Sequence, residues 1–201
     1  MGKIRYRVME HFYTLQGEGR WTGTAAYFVR LGGCDVGCVW CDVKESWHAE
    51  DHALLAIEEI VAAATASPAR TAVVTGGEPT LYDLEPLTAA LVEAGFRTHL
   101  ETSGAHPLTG RWNWVCLSPK KFKPPREDAY ALADELKVVV YHPSDLSWAE
   151  EHASRCRPQT LLYLQPEWSR HDQSAKLIVE YVKEHPRWRL SLQTHKFVGI
   201  P

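Results

Sequence analysis

No apolar stretch of the chain approaches the roughly 20 residues that span a bilayer as a helix. Basic residues are not in excess either: 22 Lys and Arg against 25 Asp and Glu leave a net charge of −3. The footprint of a protein built to grip nucleic acid is therefore missing, and no nucleic-acid or membrane partner is expected. Gly and Pro, at 13 and 12 of 201 residues, are close to ordinary usage, which removes collagenous and low-complexity chains. The opening residues MGKIRYRVMEHFYTLQ lack the apolar core and small-residue cleavage site of a secretory signal. A cytoplasmic protein is expected. With no linker, repeat or block of like charge, residues 1–201 read as a single domain.

A disulfide framework is also missing. The five cysteines are an odd number, and Cys34, Cys38 and Cys41 crowd into one short segment. A framework would spread its cysteines along the chain. Crowded thiols in a cytoplasmic protein read as ligands of a metal or cluster. Cys116 and Cys156 stand alone in apolar or helical surroundings.

What is present is alternation. Short apolar runs occur at 25–31 (AAYFVRL), 71–75 (TAVVT), 97–101 (RTHLE), 114–118 (WVCLS), 135–140 (ELKVVV), 160–164 (TLLYL) and 189–193 (RLSLQ). Most are unbroken, as in strands covered on both faces of a parallel sheet. Helical periodicity lies between them. In HALLAIEEIVAAATA, residues Leu54, Ile57, Val61 and Ala64 share a face before Ser67-Pro68 stops the stretch. LEPLTAALVEAG ends on Gly95 as its cap, and DLSWAEEHASRC and DQSAKLIVEYVKEH follow later. The pattern predicts an α/β fold with short helices. Nearly every strand is followed by polar, chemically capable residues (GGC, GGEP, TSG, SPK, YHP, QPEW, THK). That distribution favours an incomplete (β/α) barrel, whose site is built from such loops, over a doubly wound sheet with one switch point.

Cys34-x3-Cys38-x2-Cys41 can hold three corners of a [4Fe–4S] cube and leave the fourth iron open. Structural zinc is the alternative, but it wants four closed ligands, and His48 has no second cysteine knuckle beside it. Gly76 and Gly77 allow close backbone approach to a ligand, and Glu78 offers an acceptor to an ammonium group; the bland alternative is a simple strand-to-helix turn. Arg30 shares a face of its strand with Ala26 and Phe28. In a strand covered on both sides it needs either an acidic partner or a bound carboxylate.

The cysteine triplet after the first apolar run, with Trp40 before its last member, and Gly76-Gly77-Glu78-Pro79 resemble the radical S-adenosylmethionine superfamily. YTLQGEG at 13–19, FVRLGGC at 28–34, WCD at 40–42, ETSG at 101–104, LSPK at 117–120, QPEW at 165–168 and the terminal QTHKFVGIP are together similar to the 7-carboxy-7-deazaguanine synthase family. The likeness covers nearly the whole chain. It implies a [4Fe–4S] cluster on Cys34, Cys38 and Cys41, with S-adenosylmethionine held by Trp40, Gly76, Gly77, Glu78, Ser103, Ser118, Pro119, Lys120 and Gln165. It implies 6-carboxy-5,6,7,8-tetrahydropterin as substrate, held by Leu15, Gln16, Gly17, Glu18, Arg30, Thr75, His195 and the carboxylate of Pro201. Queuosine or another deazapurine pathway would use the product. A homodimer and an electron donor of the flavodoxin or ferredoxin type are further implications. The family pattern also places Mg²⁺ beside the substrate, at Asp42 and a hydroxyl residue after it. Here that residue is Val43, which offers no oxygen, so weaker Mg²⁺ dependence is expected. Two other readings stay open: another small radical enzyme such as a glycyl-radical activase, and a zinc-stabilised binding module.

Overall fold

Alternating apolar runs and amphipathic segments fold as predicted into strands and short helices, with two more strands than the pattern suggested. The computed structural model describes residues 4–201. The strands are β1 (Arg5–Leu15), β2 (Ala25–Leu31), β3 (Ala53–Ala56), β4 (Thr71–Gly76), β5 (Arg97–Thr102), β6 (Trp114–Leu117), β7 (Glu135–Val140), β8 (Leu161–Pro166) and β9 (Trp188–Leu190). The helices are α1 (Ile57–Thr65), α2 (Glu85–Glu93), α3 (Glu127–Leu132), α4 (Ser144–Ala153), α5 (His171–Glu184) and α6 (Thr194–Val198). All nine strands form one sheet in the order β3-β1-β2-β4-β5-β6-β7-β8-β9. From β2 to β9 the pairing is parallel, while β1 runs antiparallel to both β2 and β3. The edges β3 and β9 do not meet, so the barrel is incomplete.

The two faces of this sheet are chemically different. Tyr27, Val29, Leu31, Val74, Leu100, Leu136, Val138 and Leu164 point to the helical side and are buried in two apolar clusters. The inner apolar cluster is small: Ala26, Phe28 and Val73, with Phe12 stacked on Phe28. The rest of the inner wall is polar and buried, with His99, Glu135, Lys137 and Gln165 each under 5% exposed. Strands that look like unbroken apolar runs therefore carry their ionisable residues on the face turned to the cavity.

The helices follow local rules. Glu59 accepts from the Ala56 N–H at 2.7 Å, half of a capping box at the start of α1. Gly95, at φ +87°, closes α2, with its N–H on the Val92 carbonyl and the Phe96 N–H on that of Leu91.

Four expectations are corrected. Ala53–Ala56 is a strand paired with β1, not the first turn of a helix, so Leu54 is 43% exposed rather than on the buried face of α1. Pairing to an open edge overrides the helical propensity of Ala and Leu there. β1 is not legible as a strand in the sequence, because a bulge between Val8 and Glu10 breaks its alternation and leaves Tyr13 and Leu15 exposed beyond it. The run at 189–193 is a strand only as far as Leu190, since Ser191 and Gln193 turn inward to polar partners. Cys116 does not sit in apolar surroundings: its thiol faces the Glu135 carboxylate at 3.6 Å. Among the described residues no helix is long and apolar enough to cross a membrane.

Candidate active site

The C-terminal ends of β2, β4, β5, β6, β7 and β8 surround one cavity of about 340 Å³, ordinary for a small-molecule site. The cysteine loop closes one end. Cys34, Cys38 and Cys41 all line the cavity as free thiols. Burial pushes the Cys38 thiol up to about 11, and the neighbouring thiols Cys41 and Cys34 add to this against the charge of Lys120. Among the described residues, no three His, Cys, Asp or Glu side chains converge tightly enough to hold a single ion. The donor set fits a [4Fe–4S] cluster with one open iron.

β4 meets this loop through two glycines. A Cβ on Gly76 would lie 2.3 Å from the Leu31 carbonyl oxygen, and one on Gly77 would lie 2.4 Å from that of Gly33. The Gly77 N–H donates to Leu31 and the Glu78 N–H to Gly33. The glycines are thus required for backbone packing of β4 on the cysteine loop. Glu78, 1% exposed, is fully engaged. Its Oε1 accepts from the Thr80 N–H (3.1 Å), the Thr80 hydroxyl (2.6 Å) and the Thr102 hydroxyl (2.5 Å). Its Oε2 accepts from the Ser103 N–H (2.8 Å) and the Ser103 hydroxyl. Glu78 ties the ends of β4 and β5 together. Opposite them, the Lys120 ammonium donates to the carbonyl (2.6 Å) and hydroxyl (2.7 Å) of Ser118 and lies 5.9 Å from the centre of the Trp40 ring.

The other end of the cavity is charged. Arg30 faces inward, as its strand position predicts, and its Nε donates to Glu10 at 2.6 Å. Arg30 therefore has the acidic partner of the structural reading, and it also lines the cavity. The Gln16 amide donates to Glu101 Oε1 at 2.8 Å and the Thr75 hydroxyl to Glu101 Oε2 at 3.2 Å. Glu18 accepts from Lys137 on one oxygen and from the Gln193 amide on the other, at 2.9 Å. Burial alone would raise the Glu18 carboxyl. The Lys137 charge and hydrogen bond, with Gln193 and His195, outweigh it and hold the group down to about 2.

Residues 28–159 match the Radical SAM superfamily. The chain is 54% identical to 7-carboxy-7-deazaguanine synthase of Flavobacterium psychrophilum over 96% of its length and 92% of that protein's. It is 48% identical to the synthase of Synechocystis, covering 98% and 94%, and 36% identical to that of Escherichia coli K12, covering 98% and 100%. The crystal structure of QueE from Escherichia coli superposes with a TM-score of 0.84 at 33% identity, covering 94% of this chain and 93% of that one. The chain belongs to the 7-carboxy-7-deazaguanine synthase family.

The cysteine end of the cavity fits radical chemistry, while the position expected to bind Mg²⁺ offers few free oxygen ligands. Val43 lines the cavity with a hydrocarbon side chain, and Asp42 Oδ2 already accepts from Lys196 (2.6 Å) and Gln193 (3.4 Å). Burial raises the Asp42 carboxyl, but those bonds and the Lys196 charge bring it below the usual carboxylate range. The Lys196 ammonium thus competes with any cation for Asp42, and weaker rather than absent Mg²⁺ dependence remains the expectation.

Every site residue expected from the sequence reaches the cavity wall except Pro119, which is buried behind it. That includes Leu15, Gly17, Ser103, Gln165, His195 and Pro201. Wall residues not singled out from the sequence include Glu101, Lys137, Gln193 and Lys196. A signal for Lys137 existed. In Glu135-Leu136-Lys137-Val138 the charges alternate with apolar residues, the same pattern that singled out Arg30.

Proposed function

We propose that the chain converts 6-carboxy-5,6,7,8-tetrahydropterin to 7-carboxy-7-deazaguanine with loss of ammonia. The observation that carries this reading is one cavity with a three-thiol loop at one end and a ring of carboxylates, amides and Arg30 at the other. Cys34, Cys38 and Cys41 would hold the cluster, which would supply the electron for reductive cleavage of S-adenosylmethionine. The chain's own residues do the positioning. Backbone at Gly76–Glu78, with Ser103, Ser118, Lys120 and Gln165, receives the methionine and ribose groups. Arg30 offers its guanidinium to the pterin carboxylate, where a planar fork suits best. Gln16, Glu18 and the Pro201 carboxylate read the aminopyrimidinone edge, with Thr75 and His195 beside them. The electron would come from an external protein of the flavodoxin or ferredoxin type.

An anaerobic assay of reconstituted protein with the carboxytetrahydropterin, S-adenosylmethionine and dithionite tests this. Ammonia and a deazaguanine product in equal amounts are expected, with S-adenosylmethionine required but not consumed once per turnover, because the pterin equals the two products atom for atom and the abstracted hydrogen must be returned. One zinc per chain with no sulfide, or cleavage of S-adenosylmethionine without conversion of the pterin, overturns the reading.

A further inference from the structure

We propose that Lys137 is a positioning residue whose buried ammonium keeps the Glu18 carboxylate ionised and aimed into the cavity, ready for the N–H edge of the substrate. The proposal rests on the substrate reading above. Glu18 sits on the β1–β2 loop, outside any strand, so its own element does not fix it. The loop is held in place by residues distant in sequence. Its Gly19 N–H donates to the Ser191 hydroxyl at 2.9 Å, its Arg20 N–H to Glu135 at 3.0 Å, and its Gly17 carbonyl accepts from the Thr194 N–H at 2.9 Å. Lys137 rises from the middle of β7 beneath this loop with only 5% of its side chain exposed and bonds Glu18 directly. A carboxylate buried without a cation takes up a proton and becomes a donor, which is the wrong partner for an N–H edge. A lysine buried without an anion is equally unfavourable, so each group requires the other.

The surrounding charges agree. Around Glu18 stand Lys137 from β7, His195 from α6 and Asp42 from the cysteine loop. Lys137 is faced in turn by Glu101 from β5, Cys116 from β6 and Glu135 from its own strand, with Lys120 further off. Lys137 is thus the central cation among three carboxylates and a thiol. Its ammonium stays charged: burial lowers it, but these acids raise it well above its ordinary value.

The test compares wild type, K137M, K137R, E18Q and the E18Q/K137M double variant as reconstituted holoenzymes between pH 6 and 9. K137M is expected to raise the pterin KM and Kd by about tenfold or more, while kcat changes less and S-adenosylmethionine binding is unchanged. Its kcat/KM should rise with pH, because Glu18 then ionises only in alkali; the wild-type profile lacks that limb. K137R should restore most of the affinity, and K137M should cost nothing further in the E18Q background. Melting temperature gives a readout independent of turnover: K137M should lower it, and E18Q/K137M should recover part of the loss. Wild-type KM with a flat pH profile in K137M overturns the proposal, as does equal loss of pterin and S-adenosylmethionine binding without pH dependence. If wild type does not convert the pterin, the function reading fails, and the melting comparison still decides whether Lys137 is what keeps Glu18 charged. If K137M does not fold, K137Q takes its place: a pterin kcat/KM that rises with pH supports the proposal, and effects additive with E18Q overturn it.

Discussion

Glu78→Gln separates two roles for the same carboxylate, because they predict opposite signs in ligand-free protein. In the structure five donors converge on Glu78, three on Oε1 and two on Oε2. A glutamine keeps one oxygen and turns the other into a donor. The cheaper orientation places the amide nitrogen toward Ser103, whose hydroxyl can rotate to accept but whose N–H cannot. Stranding that buried N–H costs about 1–3 kcal/mol. The three bonds left on Oε1 lose their charge assistance, about 1 kcal/mol each before relaxation. A neutral amide is easier to bury than a carboxylate, which offsets part of this. The net expectation is a loss of about 2–4 kcal/mol, a large share of the roughly 5–15 kcal/mol that holds a typical domain. In a chain of this size that lowers the melting temperature by about 4–16 °C. Guanidinium denaturation of iron-free samples of both proteins, followed by tryptophan fluorescence, measures it. Were Glu78 simply a waiting acceptor for a ligand's ammonium, removing its buried charge would stabilise the ligand-free protein. A variant as stable as wild type, or more so, refutes the structural role.

Four further outcomes are expected. Cys34→Ala, Cys38→Ala or Cys41→Ala should each abolish iron–sulfur absorbance and turnover in a protein that stays folded; cleavage of S-adenosylmethionine by any of them contradicts the ligand assignment. After chelation, Mg²⁺ titration should show weak dependence of turnover, and Val43→Thr should increase it; a steep saturating requirement in wild type refutes the reading of Asp42 and Lys196. A C-terminal extension should raise the pterin KM by one to two decades, the worth of a charge-assisted bond of about 1.5–3 kcal/mol, with iron content unchanged, whereas an N-terminal extension should not. Stability should fall as pH drops from about 6.5 to 4. Burial, aided by Arg97 and Arg155 respectively, holds buried His99 and His152 down to about 4, so in that window the unfolded chain binds protons that the folded one refuses. The slope approaches two protons, about 2.7 kcal/mol per pH unit, and His152→Gln should halve it in denaturation series at fixed pH.

The cysteine spacing, the paired glycines and the inward face of Arg30 were legible in the sequence because each is a local pattern. Three thiols in one loop stay together in any fold, and an arginine in a strand covered on both sides must be answered by charge. The strand count fell short where local propensity and final structure disagree. Ala53–Ala56 reads as helix and becomes a strand because β1 presents an open edge to it. Only the tertiary structure decided partnerships across long sequence separations. It engaged Glu78 through Thr102 and Ser103, set the Lys196 ammonium on Asp42, and placed Lys137 under Glu18. These pairings exist because loops far apart in sequence meet over one shared cavity, toward which the strands turn alternate residues such as Lys137. Which of those residues meet depends on strand order and register, and neither is written in the spacing of any single segment.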